Sequence, residues 1–318
     1  MPVKLSNLLF VCHPLGHHAS AGDGLWSGVT NLAGVLMDTK TGMAGKARSW
    51  VRGRRKMRRF QDQLRADDTF FVGHPKSGNT WMAYMLAILQ QHDRADDVTL
   101  ANVGSYVPTI HAGDDRIGEF SKLASPRIFR NEGPLYKKHY PRVLYIVRDP
   151  RAVLVSYYHH CVHDTGENDW PLSDFVDQML DEGCIERIEP YITRWSDQVM
   201  YWHKRSKTEP VHLVRYEDMK ADCFKELRKV ADFLELSSSD DQVRYAVERG
   251  DFSAMRKQEE AHGAESYPGE KGSKGFFVRK GKTDGWREEL SAESIARIET
   301  EYAETMALMG YEPSQAPG

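Results

Sequence analysis

The sequence has few cysteines, no long apolar run and no excess of one charge, and each absence excludes a class of protein. Its four cysteines in 318 residues form no CxxC pair and no zinc-finger spacing, and they are too few to cross-link the chain. We therefore expect reduced thiols in a cytoplasmic protein. The first apolar run breaks at Cys12, which is too short for a signal peptide or a membrane span. The formal net charge of −3 argues against a general nucleic-acid partner.

Composition divides the chain near residue 65. Residues 1–65 are rich in glycine, serine and threonine and then carry a dense basic run, "RGRRKMRR", at residues 52–59. We predict an N-terminal extension here. Its basic run is either a solvated helix face or arm, or a contact with a membrane surface or polyanion. Residues 66–318 are predicted to form a single domain.

Three segments of this domain repeat the order of a strand followed by a helix. Apolar runs at residues 69–73 and 142–147, and a third that begins at residue 211, are each followed by a helical pattern. Near the C-terminus, Ser291 is the predicted N-cap of a helix that ends at Gly310. The alternation indicates an α/β domain with a central parallel sheet flanked by helices.

The segment "FFVGHPKSGNTW", residues 70–81, has the pattern of a phosphate-binding loop between a strand and a helix. Gly73 and Gly78 have the required spacing, but Lys76 precedes the second glycine instead of following it directly. Main-chain N–H groups of residues 77–80 should converge with the helix N-terminus on an anion. The displaced lysine disfavours a kinase or nucleotide triphosphatase, which remains the alternative enzyme. This segment alone is also compatible with a structural turn.

Two further segments place cations beside predicted elements. "YIVRDPRAVLVSYY" puts Arg148 at the end of a strand and Ser156 eight residues later in the following helix, where both can hold a second phosphate. Arg148 can instead pair with a carboxylate such as Asp149. "FFVRKGKTDGW" supplies Arg279 and Lys280, which form a flexible cationic hook or a solvated charge run.

Together and in this order, the three segments resemble the cytosolic-type sulfotransferases. Those enzymes take a sulfuryl group from 3′-phosphoadenosine 5′-phosphosulfate (PAPS) and release the adenosine bisphosphate PAP. The resemblance extends from Thr69 to Trp286 and implies a phosphate-loop-like nucleotide-binding core and transfer without a metal ion. It implies an acceptor hydroxyl or amine on a small molecule or glycan. It also accounts for the displaced lysine. In this family the lysine stabilises the negative charge that develops on the oxygen bridging phosphorus and sulfur as the bond to sulfur breaks.

The resemblance implies a role for individual positions in each segment. Lys76 matches the family's catalytic lysine. The matched donor-binding positions are Ser77, Gly78, Asn79, Thr80 and Trp81 for the 5′-phosphate and adenine, Arg148 and Ser156 for the 3′-phosphate, Tyr216 and Phe252 for the base, and Phe277, Arg279, Lys280 and Gly281 for the closing segment. Asn79 stands where many members have threonine. The closing segment departs from the usual Gly-Asp-Trp, because it reads Asp284-Gly285-Trp286.

Glu132 is the residue aligned with the family's catalytic histidine, in the stretch "SPRIFRNEGP". It follows a short strand-like run, so we expect it to project from the carboxyl end of a strand toward the donor cleft. A carboxylate can take the acceptor's proton as a general base. The alternative bases are His139, His159 and His160. A chain without a working base would instead be a non-catalytic nucleotide-binding interaction module.

The segment "YYHHCVHD" raises the possibility of a metal site. His159 and His163 are four residues apart and can share a helix face, with Cys161 nearby. The next candidate ligands fall around a predicted helix end at Gly166, which leaves the site incomplete. We therefore predict no bound metal and assign these side chains to packing or to the acceptor pocket.

Overall fold

The computed structural model describes residue 55 and residues 57–110, 120–132, 137–165, 170–185, 192–264 and 281–314, with the side chains of residues 163–165 excepted. The predicted donor-binding residues Phe277, Arg279 and Lys280, and most of the predicted N-terminal extension, lie outside the described residues.

Four strands form one parallel sheet. They are β1 (Thr69–Gly73), β2 (Ile128–Asn131), β3 (Arg142–Val147) and β4 (Val211–Arg215). Their order is β2-β1-β3-β4, and each neighbouring pair is parallel, which confirms the predicted α/β fold. After β1 the chain adds β2 on one side and then β3 on the other, so the direction in which strands are added reverses at β1. In open parallel sheets, ligands bind at the point of such a reversal, outside the carboxyl ends of the strands.

Helices cover both faces of the sheet. Their bounds are α1 (Asn79–Gln91), α2 (Pro150–Thr165), α3 (Leu172–Glu182), α4 (Trp195–Arg205), α5 (Tyr216–Ala221), α6 (Cys223–Phe233), α7 (Asp240–Arg249), α8 (Phe252–His262), α9 (Ala292–Glu301) and α10 (Ala303–Leu308). Short 3₁₀ helices span His92–Asp97, Val103–Ser105, Lys137–His139 and Gly285–Glu288. Among the described helices, none has both the length and the apolar character that a membrane crossing requires.

Alternate residues of the strands supply two separate cores. Phe70 of β1 and Tyr145 of β3 belong to the cluster on one face, and Phe71 and Ile146 belong to the cluster on the other. All four side chains are buried. Burial on both faces explains why these strands are continuous apolar runs in the sequence, without alternation of polar residues. Phe60, in the helical residues 57–63, adds to the first cluster with its ring 5.9 Å from that of Phe70.

Strand β2 is held on both of its edges. It pairs with β1 along its length, with Val72 opposite Asn131. On the other edge, the N–H of Arg130 donates to the main-chain oxygen of Pro108 at 2.9 Å, and the N–H of Ile110 donates to that of Arg130 at 2.8 Å. The register of β2 is therefore fixed from two sides.

The C-terminal helix is interrupted where one unbroken helix is predicted. Ser291 caps its start as predicted, because its hydroxyl accepts the N–H of Ser294 at 3.0 Å. Tyr302 then leaves helical geometry, with φ −106° and ψ 13°, and separates α9 from α10. Its side chain is buried, with the ring 5.4 Å from that of Trp195 on α4. The break thus coincides with the packing of this ring against α4.

Candidate functional site

The loop between β1 and α1 leaves the start of the helix open to an anion. Gly78 is the N-cap with φ 104°, no side chain caps the first turn, and that turn contains no acidic residue. The first N–H groups of a helix need an outside acceptor, and the helix dipole favours a negative one. Lys76 lies in the same loop with φ 68°. The loop therefore presents both main-chain donors and a cation.

The loop packs closely against neighbouring side chains at Gly78 and Ser77. A Cβ at Gly78 would lie 2.8 Å from Cδ2 of Tyr216, so a side chain is excluded there by contact as well as by the positive φ. Ser77 is fully buried, and its hydroxyl has no hydrogen-bond partner among the described residues. A buried hydroxyl without a partner is destabilising. The contact at Gly78 and the burial of Ser77 show that the loop packs closely behind the start of α1.

Arg148, at the end of β3, reaches over this loop. Its guanidinium donates to the main-chain oxygen of Lys76 and to that of Lys282, each at 3.1 Å. Its central carbon lies 4.4 Å from the ring centroid of Tyr216. The Nε of Arg148 is buried and has no partner in the described part of the chain. Part of this cation's donor capacity is therefore left for a ligand.

The main chain on either side of the Arg148 side chain is held in place. The indole of Trp195 donates to the carbonyl of Arg148 at 3.1 Å, and the N–H of Asp149 donates to the carboxylate of Glu217 at 3.0 Å. Burial raises the pKa of Glu217, and the N–H of Asp149 partly opposes that rise. Asp149 forms its ion pair with Arg151, at 2.6 Å. The alternative in which Asp149 is the partner of Arg148 is therefore wrong.

A cavity of about 220 Å³ brings the three segments together at the carboxyl ends of the strands. The predicted site residues that line it are Lys76, Gly78, Asn79, Thr80, Trp81, Glu132, Arg148, Ser156, Tyr216, Phe252 and Gly281. Ser77 is buried within the loop and is not part of the lining.

Glu132 enters this cavity from the end of β2, beside β1. Its side chain is half-buried, and its Oε1 accepts a hydrogen bond from the amide of Asn79 at 2.8 Å. Its main-chain oxygen accepts one from Gln198 at 3.3 Å. Two of the positions where the sequence departs from the sulfotransferase pattern, Asn79 and Glu132, are thus in direct contact.

Comparison with known proteins agrees with this geometry. The profile of the family described as "Sulfotransferase domain" matches residues 66–310. The chain belongs to this family. Membership supports sulfuryl transfer as the reaction class of the enzyme. The amine sulfotransferase of Oryctolagus cuniculus is 25% identical over an alignment of 256 residues, which covers 77% of this chain and 82% of the relative.

Two solved structures show the same fold as this sulfotransferase. Mouse sulfotransferase SULT7A1 complexed with PAP gives a TM-score of 0.54 at 21% identity, over 76% of this chain and 84% of that one. Retinol dehydratase in complex with androsterone and the inactive cofactor PAP gives 0.56 at 17% identity, over 80% and 83%.

Aromatic rings form one side of the sulfotransferase cavity. The indole N–H of Trp81 donates to the main-chain oxygen of Gly250 at 2.7 Å, and its ring is edge-on to that of Tyr216 at 5.4 Å. Phe252 packs over Gly281, where a Cβ would lie 2.7 Å from the phenyl ring. Gly281 also has φ 62°. These rings give this side of the cavity an aromatic lining, on which a nucleotide base can stack.

The cavity lining includes residues that the sequence-based set lacks, and two of them, Lys220 and Trp286, carry functional groups that face other site residues. Lys220 lines the cavity with its Nζ 5.6 Å from the centroid of the Trp81 ring, and its position four residues after Tyr216 on α5 is the signal that could have identified it. Trp286 lines the cavity between the guanidinium groups of Arg151 and Arg287, at 4.1 and 4.3 Å. It belongs to the Asp-Gly-Trp sequence, which marks it as part of the closing motif.

The alternative bases lie in different surroundings. His160 lines the cavity of the sulfotransferase. His159 does not, and its Nε2 lies 2.5 Å from a carboxylate oxygen of Glu289. His139 lies outside the cavity and pairs with the amide of Gln61 at 2.9 Å. Among these three histidines, His160 is therefore the one placed to compete with Glu132.

The structure does not test whether His159, Cys161 and His163 could share a metal ion, because the side chain of His163 lies outside the described residues. Among the described side chains, no group of three or more histidines, cysteines and carboxylates is arranged to hold a metal ion.

His74 opens the loop and is buried and neutral. Burial lowers its pKa from 6.5 to about 4, although hydrogen bonds to the main chain, including one between Nδ1 and the oxygen of Pro75 at 3.1 Å, partly oppose this. Its ring is edge-on to that of Tyr157 at 6.2 Å. Protonation of this histidine would place an unpaired charge in the core directly before the anion-binding loop.

We expect His74→Phe to reduce the loss of folding free energy that occurs when the pH is lowered. The unfolded chain binds a proton at His74 below about pH 6.5, whereas the folded protein does not until about pH 4. The native state is therefore destabilised as pH falls through this window, by about 2 kcal/mol at about pH 5. Urea denaturation at about pH 7 and pH 5 should show the loss in the wild type and in His262→Gln, an exposed control, but a smaller loss in His74→Phe. An equal loss in all three proteins would contradict this assignment.

Proposed function

We propose that the protein transfers the sulfuryl group of PAPS to a hydroxyl or amine acceptor, with Lys76 stabilising the leaving phosphate and Glu132 as general base. The observation that carries the proposal is the convergence of Lys76, Glu132 and Arg148 on one cavity at the carboxyl ends of adjacent strands. A donor with two anionic ends and an aromatic base matches the two cationic segments and the ring surface between them.

The 5′ end of the donor is assigned to the loop of residues 76–80. The open N-terminus of α1 provides main-chain donors for its phosphate oxygens. Arg148 and Ser156 are assigned to the 3′-phosphate, and Trp81, Tyr216 and Phe252 to the adenine side. The closing segment would complete the site, with Gly281 as its described residue.

The proposed step needs one base and one cation. Glu132 takes the proton of the acceptor O–H or N–H while the acceptor atom forms a bond to sulfur. The bond from sulfur to the bridging phosphate oxygen breaks, and that oxygen keeps the electron pair. Lys76 stabilises the negative charge that develops on it, a contribution that is greatest in the transition state. No oxidant or reductant is involved.

The acceptor is proposed at the level of functional group. The amine sulfotransferase relative supports the inclusion of amines beside hydroxyls. A carboxylate base suits an aliphatic or sugar hydroxyl, which is a weak acid and needs assistance to lose its proton. The acceptor panel should therefore contain a phenol, an aliphatic alcohol, an aliphatic amine and an amino sugar.

The test is incubation with ³⁵S-labelled PAPS and this panel, together with calorimetric titration by PAP and by ATP with Mg²⁺. Donor-dependent labelled product and tight PAP binding are expected. ATP hydrolysis without PAP binding would identify a nucleotide triphosphatase or kinase instead. PAP binding with no release of label to any acceptor or to water would point to a nucleotide-binding module.

Arg148→Ala should weaken PAP binding selectively. The variant loses a charge-assisted contact to the 3′-phosphate, worth about 1.5–3 kcal/mol. Calorimetric titration should show the loss with PAP and a much smaller loss with AMP, which lacks the 3′-phosphate. Arg151→Ala is unsuited as a control because Arg151 is tied into an ion-pair network with Asp149 and Glu299. Arg244→Ala, an exposed cation on α7, is the appropriate control. If Arg148→Ala keeps the wild-type preference for PAP over AMP, the 3′-phosphate assignment is wrong.

A further inference from the structure

The amide of Asn79 connects the anion-binding loop to Glu132. Its Nδ2 donates to Oε1 of Glu132 at 2.8 Å and lies within hydrogen-bond distance of the main-chain oxygens of Gly73 and His74, at 3.4 and 3.2 Å. An amide carries two hydrogens, so one serves Glu132 and the two loop carbonyls share the other. We propose that Asn79 is the positioning residue for Glu132, an inference that rests on the proposed role of Glu132 as base.

The orientation of this amide is determined by its surroundings. Nδ2 faces three oxygens that can only accept, so the flipped amide would set Oδ1 against all three without a donor. The side chain is also confined, because Asn79 is 4% exposed and a Cβ at Gly73 would lie 2.3 Å from its Oδ1. Oδ1 itself is buried without a hydrogen-bond partner among the described residues. The orientation that satisfies the three acceptor oxygens therefore leaves the oxygen of the Asn79 amide without a donor.

The contact with Asn79 gives the two carboxylate oxygens of Glu132 different surroundings. Oε1 accepts from Asn79, whereas no donor in the described part of the chain contacts Oε2. Oε2 is thus the oxygen that can receive the acceptor's proton. The main chain of Glu132 is fixed as well, because Gln198 donates to its oxygen at 3.3 Å and in turn accepts from the hydroxyl of Tyr145 at 3.3 Å. Both restraints reduce the freedom of the base before the reaction.

The partner's lack of charge is part of the inference. An arginine or lysine at this position would bind the carboxylate as an ion pair and weaken it as a base. A neutral amide orients the carboxylate and leaves its charge available. Asn79 is also only three residues from Lys76, so one short loop carries the leaving-group cation and the group that aims the base.

A double-mutant cycle tests this role. The proteins are the wild type, Asn79→Ala, Glu132→Gln and the double variant. The rate is the release of label from ³⁵S-labelled PAPS in a single turnover, to butanol as probe alcohol and to the water always present. We expect Asn79→Ala to lower the rate by roughly tenfold or more when Glu132 is present, but by less than about twofold in the Glu132→Gln background. PAP affinity, measured by calorimetry, should change by less than about threefold, because the side chain of Asn79 is directed at Glu132 and the loop oxygens and alanine keeps the main-chain N–H for the donor.

Two further variants make the cycle selective. Asn79→Asp keeps the volume of the side chain, so it leaves no cavity if the alanine variant does not fold. It sets a carboxylate against Glu132 and against the two loop oxygens, and should be slower than Asn79→Ala. The part of this difference that is due to Glu132 should disappear in the Glu132→Gln background. Asn131→Ala is the matched control, because Asn131 is the preceding buried asparagine and bonds to the hydroxyl of Tyr140 at 2.7 Å. Its effect should be the same factor in both backgrounds.

Each contrary outcome has a distinct meaning. A loss of the same size in both backgrounds, an unchanged rate in Asn79→Ala, or a loss of PAP affinity that matches the loss of rate would overturn the positioning role while Glu132 stays the base. Wild-type turnover in Glu132→Gln would remove the base assignment and the positioning role with it. Absence of donor-dependent release in the wild type would instead refute the proposed function.

Discussion

Replacement of Lys76 by alanine is expected to lower the rate of sulfuryl transfer by roughly 10²–10³, the effect of removing one group that stabilises charge in a transition state. Donor affinity should fall much less, because the N–H groups at the start of α1 and the guanidinium of Arg148 remain in place. Single-turnover rates with labelled PAPS and calorimetric titration with PAP separate the two effects.

The controls for Lys76 address charge and backbone separately. Lys76→Gly relieves the positive φ of 68° and should be as slow as Lys76→Ala if the missing charge is the cause. Lys282→Ala removes another lysine from the cavity wall, whose Nζ lies 3.4 Å from a carboxylate oxygen of Glu288. It should lower the rate of sulfuryl transfer much less than Lys76→Ala does. Equal losses of rate and of PAP affinity in Lys76→Ala would show that Lys76 binds the donor uniformly and has no special role in the transition state.

Glu132→Gln should lower the rate by roughly 10²–10⁴, which is the range for loss of a general base. The substitution keeps the shape of the side chain, and its amide oxygen can still accept the hydrogen bond from Asn79. PAP affinity is therefore expected to stay close to that of the wild type. Glu132→His, which installs the commoner family residue, should regain part of the lost rate.

His160→Ala is the decisive comparison for Glu132→Gln, because His160 is the alternative base that lines the cavity. We expect it to retain most of the activity. If Glu132→Gln instead turns over at nearly the wild-type rate and His160→Ala collapses, the base is His160. The preference for an aliphatic or sugar hydroxyl would then lose its support.

The features that the sequence predicts well are those that depend only on neighbouring residues in the chain. The buried strands β1 and β3 are apolar runs, and the loop before Asn79 carries its glycines, lysine and hydroxyl within a few positions. The caps at Ser291 and at Ser239 are local as well. Ser239 and Gln242 form a capping box at the start of α7, and no prediction covers this helix although the signal is present.

The features that the sequence does not predict depend on which elements become neighbours. Asn79 and Glu132 are 53 residues apart, and their contact requires that β2 lie directly beside β1. The break at Tyr302 depends on where its ring meets Trp195. In both cases the deciding partner belongs to another element, and a periodicity within one segment carries no information about it.

The fixed register of β2 has an evolutionary consequence. Successive strand residues face opposite sides, so a shift by one position would exchange buried Phe129 with a neighbour and present Asn131 where Glu132 belongs. A single-residue insertion or deletion in β2 would thus disturb the core and displace Glu132, the proposed base, in one step. Selection against loss of the fold would therefore also keep the proposed base in its place beside β1.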